Sequence, residues 1–164
     1  MTRIGLLSDT HGHVEPRILA FFEKCDEVWH VGDIGPIETA DAYAKGKTFR
    51  AVHGNIDDHI VRKEFPKHQR FLCEKVDVWM THIGGYPGRY DRNVTPEIYK
   101  NPPRLFISGH SHITKVINDP RLKLLHINPG AAGIRGIHKV ITAARFQIDG
   151  DKIKEFELLE IKRD

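Results

Sequence analysis

The chain is predicted to fold as α/β at the border of α+β, with two β-sheets packed face to face and helices on the outside. Two observations point there. In the first half, apolar runs of strand length alternate with amphipathic helical stretches, the pattern of a parallel sheet with helical crossovers. The second half is mostly strands, and its last pair is joined by Asp149-Gly150, a strong hairpin signal. A third observation concerns function. Four separate segments end with glycine beside an Asp, Asn or His, so polar groups gather where ligand sites of parallel sheets lie.

In order, residues 3 to 8 read as a buried strand that delivers Ser8-Asp9-Thr10-His11-Gly12-His13. Pro16 opens a helix with an apolar face of Ile18, Leu19, Phe21 and Phe22. Residues 27 to 31 form the second strand, closed by Gly32-Asp33-Ile34-Gly35, and Pro36 starts a helix to about Lys45. Residues 48 to 52 form the third, closed by His53-Gly54-Asn55-Ile56-Asp57-Asp58. A hairpin over 70 to 73 and 76 to 81 follows, ending in His82-Ile83-Gly84-Gly85. Tyr86 to Pro103, rich in Gly, Pro and Arg, reads as a loop over the site with a short helix near Thr95-Pro96-Glu97. Residues 104 to 108 form a buried strand into Gly109-His110-Ser111-His112, and strands near 113 to 118, 122 to 127, 138 to 148 and 152 to 160 complete the chain. The alternating charge of Lys152 to Asp164 marks a half-exposed edge strand. Trp29, Trp79, Phe21, Phe22 and Phe106 fall at core positions.

At 164 residues the chain is long enough for one domain spanning 1–164. The net charge of +3 is small and the signs alternate, so no basic footprint announces nucleic-acid binding. No run approaches a membrane span and no secretory signal is evident, which predicts a soluble, cytoplasmic protein without a membrane partner. Cys25 and Cys73 lack metal or redox spacing and read as core thiols.

Collected from the strand ends, the polar set is Asp9, His11, Asp33, Asn55, His82, His110 and His112. One ion of mixed N and O ligation uses three or four such groups, so seven suggest two ions sharing a carboxylate, with Asp33 as the bridge. Singly, Asp9 could cap a helix and His11 could lie on the surface; the repetition at strand ends favours a site. Asp57 and Asp58 read as turn caps at least as well as substrate contacts. Arg89 and Arg92, with Tyr86 and Tyr90, could read an anionic substrate, although a solvated loop is the better reading.

The ordered motifs Ser-Asp-Thr-His at 8 to 11, Gly-Asp at 32 to 33, Gly-Asn-Ile-Asp at 54 to 57, Thr-His at 81 to 82 and Gly-His-Ser-His at 109 to 112 resemble those of the calcineurin-like metallophosphoesterases. With Asn128-Pro129-Gly130, the chain is most similar to the small YfcE-like phosphodiesterases, which are related to the retromer subunit Vps29. The resemblance implies a sandwich of two mixed β-sheets. It implies Asp9, His11, Asp33 and His112 on one divalent ion and Asp33, Asn55, His82 and His110 on the other, the ions being manganese, or iron, cobalt, nickel or zinc. A hydroxide bridging the ions, held by Asp33, would attack phosphorus while Asn55 helps neutralise the phosphoryl oxygens. A small phosphodiester substrate and a homodimer or homotetramer are implied in the same way.

One departure stands out. Larger family members have Gly-Asn-His, whose histidine assists the leaving oxygen; here the position is Ile56, which cannot donate a proton. His13, His53 and His59 are the nearby substitutes. The alternatives to a phosphodiesterase are a Vps29-like interaction scaffold without turnover and a nuclease, the latter disfavoured by the missing basic groove.

Overall fold

A computed structural model describes all residues, 1–164. The elements in order are β1 (Thr2–Leu7), α1 (Pro16–Phe21), β2 (Glu27–His30), α2 (Ile37–Ala44), β3 (Thr48–Ala51), α3 (His59–Glu64), β4 (His68–Cys73), β5 (Val76–Thr81), β6 (Gly85–Tyr86), β7 (Arg89–Tyr90), α4 (Glu97–Lys100), β8 (Leu105–Ile107), β9 (Lys115–Asp119), β10 (Leu124–Asn128), β11 (Val140–Asp149) and β12 (Lys152–Lys162).

Two five-stranded sheets result, ordered β12-β11-β1-β2-β3 and β4-β5-β8-β10-β9, with β6-β7 as a separate ribbon. Both are mixed. β1 to β3 run parallel, as do β5, β8 and β10, while β11, β12, β4 and β9 pair antiparallel. The expected sandwich is therefore present, with β12 at an edge as its alternation predicts.

Period-two alternation sorts each strand between two cores. Ile4, Leu6, Trp29 and Val31 face inward and pack with Val78, Met80, Leu105 and Ile107 of the other sheet. Leu7 and Val28 face outward beneath Ile18, Phe22 and Tyr43 of the helical layer. Gly5 allows that layer close in, since a Cβ there would stand 2.6 Å from the Phe22 ring. On the far side, Trp79, Phe106 and Leu124 are covered by Val94 and Ile98.

Several sequence expectations need correction. Leu19 is 37% exposed and Phe21 only partly buried, because α1 is six residues long and too short to turn all four apolar side chains inward. α3 had no sequence signal long enough to read, yet Asp58 caps it by accepting from the Ile60 and Val61 amides at 3.1 and 3.0 Å. The segment from Tyr86 to Pro103 has the expected short helix, α4, but adds a β6-β7 ribbon where the sequence predicts only a loop. Tyr90 of that ribbon donates to Asp119 at 2.7 Å. Cys25 and Cys73 are buried free thiols, as expected. No helix is long and apolar enough to cross a membrane.

Candidate metal centre

The parallel strands β1, β2, β3, β5 and β8 each end by delivering one or two members of the polar set, and the two sheets bring these ends to one place. Backbone bonds beyond the strands fix the loops: Asp9 N–H donates to Gly32 O, His11 N–H to Asp33 O and Gly109 N–H to His82 O, at 2.9 to 3.0 Å. Asn128 continues the work, its Nδ2 donating to Gly109 O and Ser111 Oγ, both at 3.1 Å. This buttress explains the Asn128-Pro129-Gly130 motif.

Two groups form. In one, donor atoms of Asp9, His11 and His112 lie within 4.8 Å of one another; in the other, those of Asp33, His82 and His110 do. Asn55 joins the second, its Oδ1 standing 3.1 Å from His110 Nδ1. Asp33 Oδ2 lies 3.3 Å from His82 Nε2 and 3.5 Å from His11 Nε2, between an imidazole of each group. Asp9 Oδ1 is 3.3 Å from His112 Nε2 and 3.8 Å from His82 Nε2. All seven residues singled out in the sequence thus meet at one place.

Each carboxylate has one oxygen tied down and one left for the centre. Asp9 Oδ2 accepts from Ser8 Oγ at 2.6 Å and the His110 amide at 3.2 Å, and Asp33 Oδ1 accepts from the Ile56 amide at 3.1 Å. His82 Nδ1 donates to Val31 O at 2.7 Å, which turns the lone pair of Nε2 inward. Asp9 Oδ1, His11 Nε2 and His82 Nε2 are then buried with no hydrogen-bond partner. Three orphaned donor atoms converging in this way would be costly unless something else pairs with them, and N and O donors at these spacings suit divalent cations.

The electrostatics agree. Burial pushes the Asp9 carboxyl upward, but its contacts with His112, His82 and Ser8 outweigh that and leave it below the usual carboxylate range. Burial acts likewise on Asp33, where His82 and the Ile56 amide prevail. Both stay ionised at neutral pH. His30, wholly buried beneath the site, is pushed down to about 3 by desolvation. It accepts from the Gly32 amide at Nδ1 and bonds Thr10 Oγ1 through Nε2, which links the ends of β1 and β2 in neutral form.

The backbone here is under tension. Asp9, His11, Asp33, His110 and His112 have φ of 55°, 45°, 53°, 72° and 63°. Left-handed conformations cost non-glycine residues about 1 kcal/mol or more each, and they gather where function requires a fixed side-chain direction. Gly54 is required on other grounds, because a Cβ there would collide with Asp33 Oδ1 and crowd its amide.

The remaining candidates separate clearly. Asp57 accepts from the Gly35 and Gly54 amides at 3.0 and 2.7 Å and Asp58 caps α3, so the turn-capping reading describes both. His13 pairs with Glu15 and His59 begins α3 on the surface. His53 lines a cleft with Asn55 and His82, and Arg92, exposed to solvent, stands on the wall of the same cleft. Arg89 is exposed on the β6-β7 ribbon, and Tyr86 lies beneath Lys115, whose Nζ is 4.5 Å from its ring. Sequence reading missed His138, which stands edge-on to His112 at 4.9 Å, and the cleft residues Arg62 and Lys67. None of these has a distinctive spacing in the chain.

No curated protein sequence matches the chain. Among solved structures, an archaeal phosphodiesterase superposes with a TM-score of 0.76 at 19% identity, covering 97% of this chain and 99% of that one. A predicted phosphoesterase from Streptococcus pneumoniae TIGR4 gives 0.69 at 24% identity, covering 97% and 89%. Wild-type Vps29 from Entamoeba histolytica complexed with zinc gives 0.72 at 14% identity, covering 98% of each chain. These likenesses carry the fold. The family model for the calcineurin-like phosphoesterase superfamily domain matches residues 2–151, nearly the whole chain, and with five strand ends delivering its polar set the protein belongs to that superfamily.

Proposed function

We propose that this chain is a divalent-metal-dependent phosphodiesterase. The observation that carries the reading is the pair of donor groups joined through Asp33, with Asp9 Oδ1, His11 Nε2 and His82 Nε2 buried and unpaired between them. Asp9, His11, Asp33 and His112 would hold one ion and Asp33, Asn55, His82 and His110 the other; this mixed N and O donor set suits manganese, iron, cobalt, nickel or zinc, and manganese is taken first on the family resemblance, not on the donors. Such ions supply Lewis-acid charge for the phosphoryl oxygens and bring the ionisation of a water near neutral pH.

The chain's own residues do the rest. The Asp33 carboxylate, locked by the Ile56 amide, sets the separation of the two groups. Asn55, exposed at the rim, can donate its amide N–H to a phosphoryl oxygen. Two grooves flank the second group: the cleft past His82 and Asn55, about 450 Å³, and a smaller one past His110, about 140 Å³. They share Ile83 and Asp91. One groove for each ester arm favours a diester over a monoester.

The test is metal-free protein titrated with each metal and offered a nitrophenyl phosphodiester and the matching monoester. The expected result is metal-dependent hydrolysis that favours the diester. Hydrolysis of neither with any metal would replace this reading with that of a Vps29-like interaction scaffold.

Leaving-group assistance is the weak point of the site. Ile56 contributes its amide to Asp33 while its side chain is 48% exposed at the rim. Ile56→His is therefore expected to keep metal binding and to raise kcat by up to about 100-fold for leaving groups of high pKa, with little gain for nitrophenol. The slope of log kcat against leaving-group pKa measures this, and an equal gain across the series would count against it.

A further inference from the structure

The wide cleft beside the second donor group carries more positive charge than a bare diester requires. Arg62, Lys67 and Arg92 line it, and none of them makes an ion pair; the lysine and arginine pairs of the protein lie elsewhere. Arg62 is held by neutral partners: its Nε donates to Asp57 O at 2.7 Å, and its Nη2 to Asn55 O at 3.1 Å and Gly54 O at 3.3 Å. Carbonyls fix its direction without cancelling its charge. The guanidinium is thereby anchored to the same turn that presents Asn55 to the site.

One carboxylate faces these cations. Asp91 lines the cleft, with Oδ1 accepting from the Asn93 amide at 2.8 Å, so the lining keeps an excess of two positive charges. Asn93 Nδ2 is committed to Thr81 Oγ1 and Ile83 O. Ile83 is the one apolar residue of the lining, and no Phe, Tyr or Trp contributes a face on which a nucleobase could stack. Volume near 450 Å³ accommodates a small polar arm of a substrate.

We infer that this cleft binds one ester arm of the substrate and that the arm ends in a second anionic group, a terminal phosphate matching the two uncompensated charges. The inference rests on the phosphodiesterase reading and narrows it to small diesters with a charged, non-aromatic arm. Arg92 and Lys67 would hold the terminal anion, and Arg62 would steer the arm past Asn55 toward the donor groups.

The experiment compares three diesters with the same good leaving group on the manganese-loaded protein by phosphorus NMR: 4-nitrophenyl 3-phosphopropyl phosphate, 4-nitrophenyl 3-hydroxypropyl phosphate and the 4-nitrophenyl ester of thymidine 5′-monophosphate. The phosphopropyl diester is expected to show a kcat/KM on the order of 10- to 100-fold above the hydroxypropyl diester, as for a charge-assisted contact. That ratio should fall with added salt and drop to within about 3-fold of unity in the Lys67→Gln/Arg92→Gln double variant. Both side chains are exposed, so the double variant is expected to fold normally. Equal hydrolysis of the phosphopropyl and hydroxypropyl diesters, or a ratio unchanged in the double variant, would overturn the inference and leave the phosphodiesterase reading intact. Faster cleavage of the thymidine ester than of both would overturn it in favour of a nucleic-acid substrate. Cleavage of none would overturn the hydrolytic reading and this inference together.

Discussion

Asp33→Asn is expected to leave the protein folded yet unable to retain two ions, with hydrolysis reduced on the order of 1,000-fold. Partners that merely orient metal ligands already cost 10- to 100-fold when removed, and Asp33 would be a ligand shared by both ions. The geometry specifies how the loss arises. An asparagine can keep its carbonyl oxygen on the Ile56 amide, where Oδ1 now accepts at 3.1 Å. Its NH2 group then replaces Oδ2, which faces His82 Nε2 at 3.3 Å and His11 Nε2 at 3.5 Å, and an amide nitrogen has no lone pair to give an ion. Metal analysis after dialysis, together with the melting temperature of the metal-free variant, separates this from misfolding. A variant that holds two equivalents of metal at wild-type turnover would sink the shared-ligand assignment.

The second large effect is acid destabilisation driven by histidines that the fold keeps neutral. Desolvation pushes His30 down to about 3 and His126 down to about 4, from an ordinary value near 6.5. In the unfolded chain both take a proton as pH falls through 6.5, while in the folded chain they do not until about 4 and 3. The unfolded state therefore binds more protons, and stability falls with decreasing pH across that window. Each group contributes a slope of about 1.4 kcal/mol per pH unit. His82, whose pKa is raised by Asp33 and Asp9 against its burial, works in the opposite sense in the metal-free protein. A variant isolates one slope. His126 Nδ1 donates to Phe106 O at 3.1 Å, and an asparagine amide can replace that donor without titrating. His126→Asn is expected to flatten the loss of stability between pH 6 and 4.5 by about one proton's worth, measured by urea unfolding at a series of pH values. An unchanged acid limb would mean that His126 is not held neutral.

How much of this was legible in the chain follows from the range over which each signal acts. Strand β1 and the Asp9-to-His13 turn could be read because a short apolar run ending in Gly-flanked polar residues is a local pattern, and the same holds for β2, β3, β5 and β8. Their repetition made the seven-residue set readable before any contact was known. α3 was not readable, since its six residues carry too little periodicity and depend on the Asp58 cap. Nor could the sequence show that Val94 and Ile98 close the outer face of the second sheet, since Trp79 and Phe106 reach them only through the fold. Arg62 and Lys67 escaped because nothing in their spacing marks them, and the fold alone brings them into one cleft with Arg92, which the sequence named as a possible anion contact.

The left-handed backbone at Asp9, His11, Asp33, His110 and His112 carries a consequence for engineering. At these five positions glycine relieves conformational tension while erasing a donor atom. Variant libraries ranked by thermal tolerance alone will enrich glycine where the chemistry depends on a side chain. Heat resistance and turnover thus pull against each other residue by residue, and a thermostabilised form of this protein has to draw its gains from the helical layer and the β12 edge.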